Sequence, residues 1–248
     1  MIPIGDDNTD RRRAPLVNWL LIAVNVGVFV FFQGLGSNER FTMAFVTVPA
    51  EILSGHDIAQ TIPVRDEYGR AVGGIQLEPT PIPVYLTLIT SMFMHGGLMH
   101  LAGNMLYLWI FGDNLESVLG HFRYLLFYLL TGVLAGLTHV FVTAAFGGNT
   151  LIPSLGASGA ISGVLGGYMV LFPGRRVRVI FLYQVLQVPA ILAIGLWFLF
   201  QLISSAGALG GQGGGVAYGA HIGGFIAGVL LIKPFAIHAP APEYRGVG

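Results

Sequence analysis

The 248-residue chain contains no cysteine, so disulfides and thiolate metal sites are excluded while the redox compartment stays open. Charge is scarce as well. Asp, Glu, Lys and Arg together make up 10% of the residues, where a soluble globular domain carries roughly 25%. The twelve basic and twelve acidic residues cancel, so neither balance points to nucleic acid, and no nucleic-acid partner is expected. No internal repeat is present, which leaves an inverted-repeat transporter without support. A cleavable signal pattern is absent too, since the apolar run behind the polar 6–13 segment is long enough to stay as an anchor.

What is abundant is apolar: 54% of residues are hydrophobic and the mean hydropathy is +0.73. The charges are segregated, leaving several uncharged runs near the ~20 residues that a bilayer-spanning helix needs. The expected fold is an all-α polytopic membrane protein, a bundle of six transmembrane helices. Spans are expected at about 16–33, 95–112, 124–143, 158–172, 179–203 and 216–232, with a Gly-rich linker at 207–215. Residues 1–15 and 236–248 would be tails, and 16–235 the six-span domain. The 34–84 segment is not a span, because it holds six carboxylates and three arginines. It is expected as an outer, membrane-associated loop, with 41–53 in the interface and a polar hairpin insert at 66–74.

Six spans put both termini on one side. Arg11, Arg12, Arg13, Arg123, Arg175, Arg176, Arg178, Lys233 and Arg245 then share that side, against Arg40, Arg65 and Arg70. This bias predicts cytoplasmic termini, a plasma (inner) membrane location and an outward-facing loop.

The chain is organised around Leu155-Gly156-Ala157-Ser158-Gly159, where an uncharged loop turns into an apolar helix. A serine there ordinarily caps the helix. The fourth span, however, reaches only ~22 Å at 1.5 Å per residue, so its head starts inside the membrane. Non-helical backbone at that depth requires protein or a watery cavity around it. His221 lies in the sixth span beside Gly224 and Gly228, a small-xxx-small stripe that lets helices approach closely. Span four carries a matching face of Ser158, Ser162 and Gly166, flanked by Gly159, Gly163 and Gly167. Such stripes are more often plain packing, but an ionisable residue on one is a functional candidate. Two facing glycine-lined helices would bring Ser158 and His221 within hydrogen-bonding range.

His100 and Asn104 are four residues apart, so their donors share a helix face and can converge on one oxygen. His95 points elsewhere and is read as structural. His121 and His139 lack evident partners and are read as structural also; His56 and His238 are read as solvated. Zinc is disfavoured without a His-Glu-x-x-His pattern, and no metal or other cofactor is expected. With no carboxylate in the middle of a span, a nucleophile and base here would act as a dyad. The second glycine of a Gly-x-Ser-x-Gly elbow is missing, which excludes the α/β-hydrolase arrangement.

Taken together, His95…His100-x-x-x-Asn104, Gly156-x-Ser158-Gly159 and Ala220-His221-x-x-Gly224-x-x-x-Gly228 resemble the rhomboid intramembrane serine proteases, of the basic six-span bacterial type. The likeness covers about residues 16–235. It implies a rhomboid-like bundle in which Ser158 is the nucleophile and His221 its general base. His100, Asn104 and the Ser158 backbone N–H would form the oxyanion hole. His95, Gly156, Gly159, Gly224 and Gly228 would give structural support, and span five would be a mobile substrate gate. The implied partners are transmembrane protein substrates and the lipid bilayer; no oligomeric state is assigned. Two features depart from relatives: Ser162 stands where some carry a tyrosine stacked on the histidine, and the first loop lacks a Trp-Arg pair. What orients His221 and what anchors that loop are therefore left open. The competing classes are an inactive rhomboid-like protein that binds or chaperones membrane clients, and a transporter or channel, which would not account for the serine motif.

Overall fold

The computed structural model describes residues 2–65, 70–207 and 217–237. The tip of the polar insert, most of the Gly-rich linker and His238 lie outside the described residues. The elements in chain order are β1 (Ile2–Asp6), α1 (Leu16–Gly27), α2 (Glu39–Phe45), α3 (Pro49–Ser54), β2 (Thr61–Arg65) and β3 (Ala71–Gln76). After these come α4 (Thr87–Thr90), α5 (Leu98–Leu119), α6 (His121–Ala145), α7 (Ser158–Leu171), β4 (Arg176–Phe181), β5 (Gln184–Pro189), α8 (Ala190–Gly207) and α9 (Tyr218–Ala236). By length and composition α6 and α9 can each cross a bilayer. The segments Val84–Phe93 and Leu98–Leu119, bent by 82°, make a third if taken as one broken span. Leu16–Phe32, Ser158–Leu171 and Ala190–Ser205 are shorter apolar helices.

Helix α7 runs through the centre, with Ala160, Val164, Leu165 and Tyr168 buried. Its tightest neighbour is α9, and the contact is backbone on backbone. A Cβ added at Gly224 would overlap the Gly159 carbonyl, one at Gly228 the Gly163 carbonyl, and one at Gly166 the Phe225 carbonyl. Only glycine permits that approach, and in lipid such packing supplies much of the association energy. Helix α6 closes the third side, where Thr131 faces Gly163 and Thr138 faces Gly223.

Two expected spans differ from the observed elements. Helix α5 continues past Gly112 to Leu119, because the residues that were to end it are satisfied from the N-terminal segment. Asp113 pairs with Arg11 at 3.1 Å. The Glu116 carboxylate accepts the Val17 and Asn18 N–H groups at 2.9 and 2.7 Å and so caps α1. It also meets His121 Nδ1 at 2.5 Å, which gives that histidine a partner the sequence did not reveal.

The expected fifth span is shortened from its start. Residues 179–189 belong to the β4–β5 hairpin, and the helix begins only at Ala190. Arg176-Val177-Arg178-Val179 alternates with a period of two, and Val177 and Val179 are buried. Leu182 and Tyr183 form the turn at φ 46° and 66°, the handedness that a two-residue hairpin loop favours. Strand β1 adds to β4, giving the order β1-β4-β5 at the end of the bundle away from Ser158. There Asp6 accepts from Tyr168 Oη at 2.5 Å and from Asn114 Nδ2 at 2.8 Å. Burial pushes the Asp6 carboxyl up to about 7, against the opposing pull of the Tyr168 hydroxyl.

At the Ser158 end, the 34–84 loop forms α2, α3 and the β2–β3 hairpin. Its anchor is Gln33, whose amide donates to Thr42 Oγ1 and the His95 carbonyl and accepts the His95 N–H, each at 2.9 Å. Thr47 and Ser154 exchange backbone hydrogen bonds at 3.1 and 2.8 Å, tying this loop to the segment that leads into α7.

The α7–α9 contact predicts that Gly228→Ala destabilises the protein by ~1–3 kcal/mol, the range for overpacking, since a backbone carbonyl cannot rotate away. Gly195→Ala in α8, where a Cβ meets nothing within 4 Å among the described residues, should not. Thermal unfolding of both variants in one detergent checks the contrast.

Candidate active site

The site begins at Gly156. Its N–H donates to the Ser91 carbonyl at 2.9 Å, and its φ of +118° is a conformation that side chains rarely adopt. A Cβ there would also stand 2.8 Å from the His100 ring. Glycine thus lets an imidazole lie against the backbone two residues before the serine.

Ser158 is the first residue of α7, behind Ala157 at the N-cap. Its hydroxyl does not serve as an ordinary helix cap. Ser158 Oγ lies 2.8 Å from His221 Nε2, one turn into α9. Because Gly159 and Gly224 let the two helices touch, these side chains meet without reaching.

The other ring nitrogen, His221 Nδ1, lies 2.7 Å from Gln201 Oε1 on α8. Trp197, one turn before Gln201, has its ring 6.2 Å from that of His221, and Tyr218 stands edge-on at 6.4 Å. Ser162 takes no part, since its hydroxyl donates to the Ser158 carbonyl at 2.6 Å. Gln201 is the residue that sequence reasoning missed. Its signal was a lone polar side chain in the apolar run 190–203, where a buried polar group needs a partner.

His100 and Asn104 face the same space. His100 Nδ1 accepts the Gly96 N–H at 3.4 Å, which leaves the ring proton on Nε2, the nitrogen turned toward Gly156. Asn104 is buried, and its Nδ2 has no hydrogen-bond partner among the described residues. Both line a cavity of about 790 Å³ that also takes in Ser158, His139, Trp197 and His221. A buried amide donor without an acceptor is costly unless something fills the cavity before it. His95 is 1% exposed and stands outside the Ser158–His221 pair, with its ring edge-on to His100 at 5.2 Å. His139 lines the cavity and His56 is exposed.

A serine hydroxyl bonded to an imidazole, with His100 and Asn104 lining the same cavity, has the geometry that a nucleophile, a base and an oxyanion site require. The rhomboid domain matches residues 83–237, and the chain belongs to the rhomboid family. It is 35% identical over 147 residues to "Rhomboid protein 1, mitochondrial" of Saccharomyces cerevisiae, covering 58% of this chain and 40% of that one. It is 35% identical over 152 residues to "Rhomboid protease GluP" of Bacillus subtilis, covering 60% and 26%. To "Presenilin-associated rhomboid-like protein, mitochondrial" of Homo sapiens it is 37% identical over 95 residues, covering 38% and 24%. The chain thus matches less than half the length of each relative, and these relatives are mitochondrial as well as bacterial. Family and apolar helices together make this a membrane protein with transmembrane helices.

If Asn104 donates to a developing oxyanion, Asn104→Ala should lower kcat by roughly 10²-fold, the scale for losing one such donor. KM should change far less, because the bond strengthens only in the transition state. A purely structural Asn104 would instead lower Tm and leave turnover of the folded fraction intact. Both measurements on one preparation decide between them.

Proposed function

We propose that this chain is an active intramembrane serine endopeptidase that cleaves single-span membrane proteins within or near the outer part of the bilayer. The observation that carries the reading is the 2.8 Å bond between Ser158 Oγ and His221 Nε2, opening on a cavity that holds an unpartnered Asn104 donor.

His221 Nε2 takes the Ser158 proton as Oγ attacks a substrate carbonyl. The oxyanion receives His100 Nε2–H, Asn104 Nδ2–H and the Ser158 backbone N–H, which has no acceptor within the first turn of α7. The imidazolium then gives its proton to the leaving amine, and the C–N bond breaks to leave an acyl ester on Ser158. Water, deprotonated by His221, attacks that ester and restores the hydroxyl. The cavity must therefore admit both water and an unwound stretch of substrate.

Six spans within 16–235, tails at 1–15 and 236–248, and cytoplasmic termini in the inner membrane complete the proposal. The basic bias supports that orientation, and the charged β1-β4-β5 end is consistent with it. The basic six-span bacterial type is part of the same reading.

A fluorophosphonate should label the folded protein, and a model single-span substrate should be cleaved in liposomes. Ser158→Ala should abolish both, and His221→Ala nearly so, because paired groups do not lose activity additively. A wild-type protein that retains client helices without labelling or cleavage would instead be the inactive, client-binding kind of rhomboid.

Orientation has its own test, helped by the absence of native cysteine. Cysteines at His56 and Gly148, both exposed near the Ser158 end, should react with an impermeant thiol reagent outside intact cells. Cysteines at Thr9 and Arg176, exposed at the opposite end, should not. The reverse pattern would turn the protein over.

A further inference from the structure

General-base action by His221 places a demand on the far side of its ring. For Nε2 to accept the Ser158 proton, the single proton of the neutral imidazole must sit on Nδ1, and at this depth that N–H needs an acceptor. A carboxylate is one familiar solution, yet α6, α7, α8 and α9 contain no aspartate or glutamate. The acceptor present is the Gln201 amide oxygen, 2.7 Å from Nδ1, on a side chain 6% exposed. Its orientation matters. Turned over, the amide would offer its NH₂ to Nδ1, drive the ring proton to Nε2 and set it against the Ser158 hydroxyl.

Gln201 is carried by α8, which is only loosely enclosed. A cavity of about 410 Å³ separates it from α5, with Tyr107 and Phe111 on one wall and Trp197, Phe200 and Gln201 on the other. Ile191, Leu192, Leu199 and Ile203 are exposed along it. Its seat is α9, where Phe198 stacks on Phe225 at 4.1 Å beside the Trp197–His221 contact. Trp197, Phe198 and Gln201 share one helix face, so the aromatic seat and the hydrogen bond are made or lost together.

We propose that Gln201 is a positioning residue for the Ser158–His221 pair, and that its place on α8 makes the base competent only while α8 is seated on α9. This role rests on the serine-protease reading above. A displaced α8 would withdraw the acceptor, release the Nδ1–H and let the ring exchange tautomers, so that part of the population could no longer accept the serine proton. Activity would then depend on the position of a helix that contributes no reacting atom.

The test reads the tautomer directly and needs no substrate. Side-chain ¹⁵N spectra of histidine-labelled protein in lipid, with His221 assigned by difference from His221→Ala, should show Nδ1 protonated and Nε2 bare. Gln201→Leu keeps most of the volume but drops the acceptor. It should mix the tautomers and lower kcat roughly 10- to 100-fold, at or below the lower end of what general acid–base catalysis supplies, with KM and Tm little changed. Gln201→Glu restores an acceptor oxygen and should recover the Nδ1–H signal and part of kcat. Phe198→Ala, which removes the stacking, should move the same signals partway.

Wild-type spectra and kcat in a folded Gln201→Leu protein would overturn the positioning role. Unchanged spectra in Phe198→Ala would overturn the dependence on α8. Should Gln201→Leu fail to fold, the wild-type spectrum decides, because a bare Nδ1 is incompatible with donation to Gln201. Should the wild type cleave no membrane substrate and take no probe, the protease reading falls, while the spectra still decide whether Gln201 holds the ring.

Discussion

Contact between the backbones of α7 and α9 sets the geometry of everything else. Between helices in a bilayer there is little hydrophobic gain to be had from association, so packing depends on close van der Waals approach. Gly159 and Gly163 face Gly224 and Gly228, and their carbonyls fill the space that Cβ atoms would otherwise occupy. The helices therefore stand near their closest separation, and the short side chains of Ser158 and His221 reach each other at 2.8 Å. A longer separation would demand longer side chains, with more rotamers to freeze.

That contact does not hold alone, because a loop must enter the protein at the Ser158 end. Every backbone group there needs a partner where water is scarce. The Gly156 N–H finds the Ser91 carbonyl, Thr47 and Ser154 pair, and Gln33 closes both backbone groups of His95. Asn18 does similar work between helices, donating to the Leu108 carbonyl and accepting from Tyr124 Oη. These neutral amides and hydroxyls stiffen the frame on which His100 and Asn104 are presented. On the proposed mechanism that stiffness matters, because an oxyanion donor must be in place before charge develops.

Much of this was legible in the sequence, and the reasons are specific. Apolar runs, the glycine stripes around Ser158 and His221, and the four-residue spacing of His100 and Asn104 are local patterns, and local patterns survive in a one-dimensional reading. What escaped depends on partners distant in sequence. Helix α5 runs past Gly112 because Arg11 and the start of α1 meet Asp113 and Glu116, about a hundred positions away. The β4–β5 hairpin looks like part of a helix in sequence because Val179 to Phe181 is as apolar as a span, and its period of two lasts only a few residues. Gln201, one glutamine in an apolar helix, looks like an interruption until its neighbour is known to be His221.

The proposed chemistry uses only side chains without a permanent charge: serine, histidine, asparagine and glutamine. The ion pairs with a buried member lie at the other end, where Asp113 meets Arg11 and Arg175 meets Asp10, while the Arg40–Glu78 pair of the 34–84 loop is largely exposed. This segregation has an energetic cause. A charge in mid-span costs ~2.5–3.5 kcal/mol even on insertion scales, and it persists only when paired. A carboxylate behind His221 would bring that cost into the resting state, where no imidazolium yet exists to balance it. An amide oxygen fixes the same tautomer at much lower cost, but gives the imidazolium less support once it forms. On the proposed mechanism the donors toward Ser158 then carry more of the transition-state charge, and His100 and Asn104 both line that cavity. Where charge cannot be stored, stabilisation comes from the orientation of dipoles, and orientation is what the close-packed frame provides.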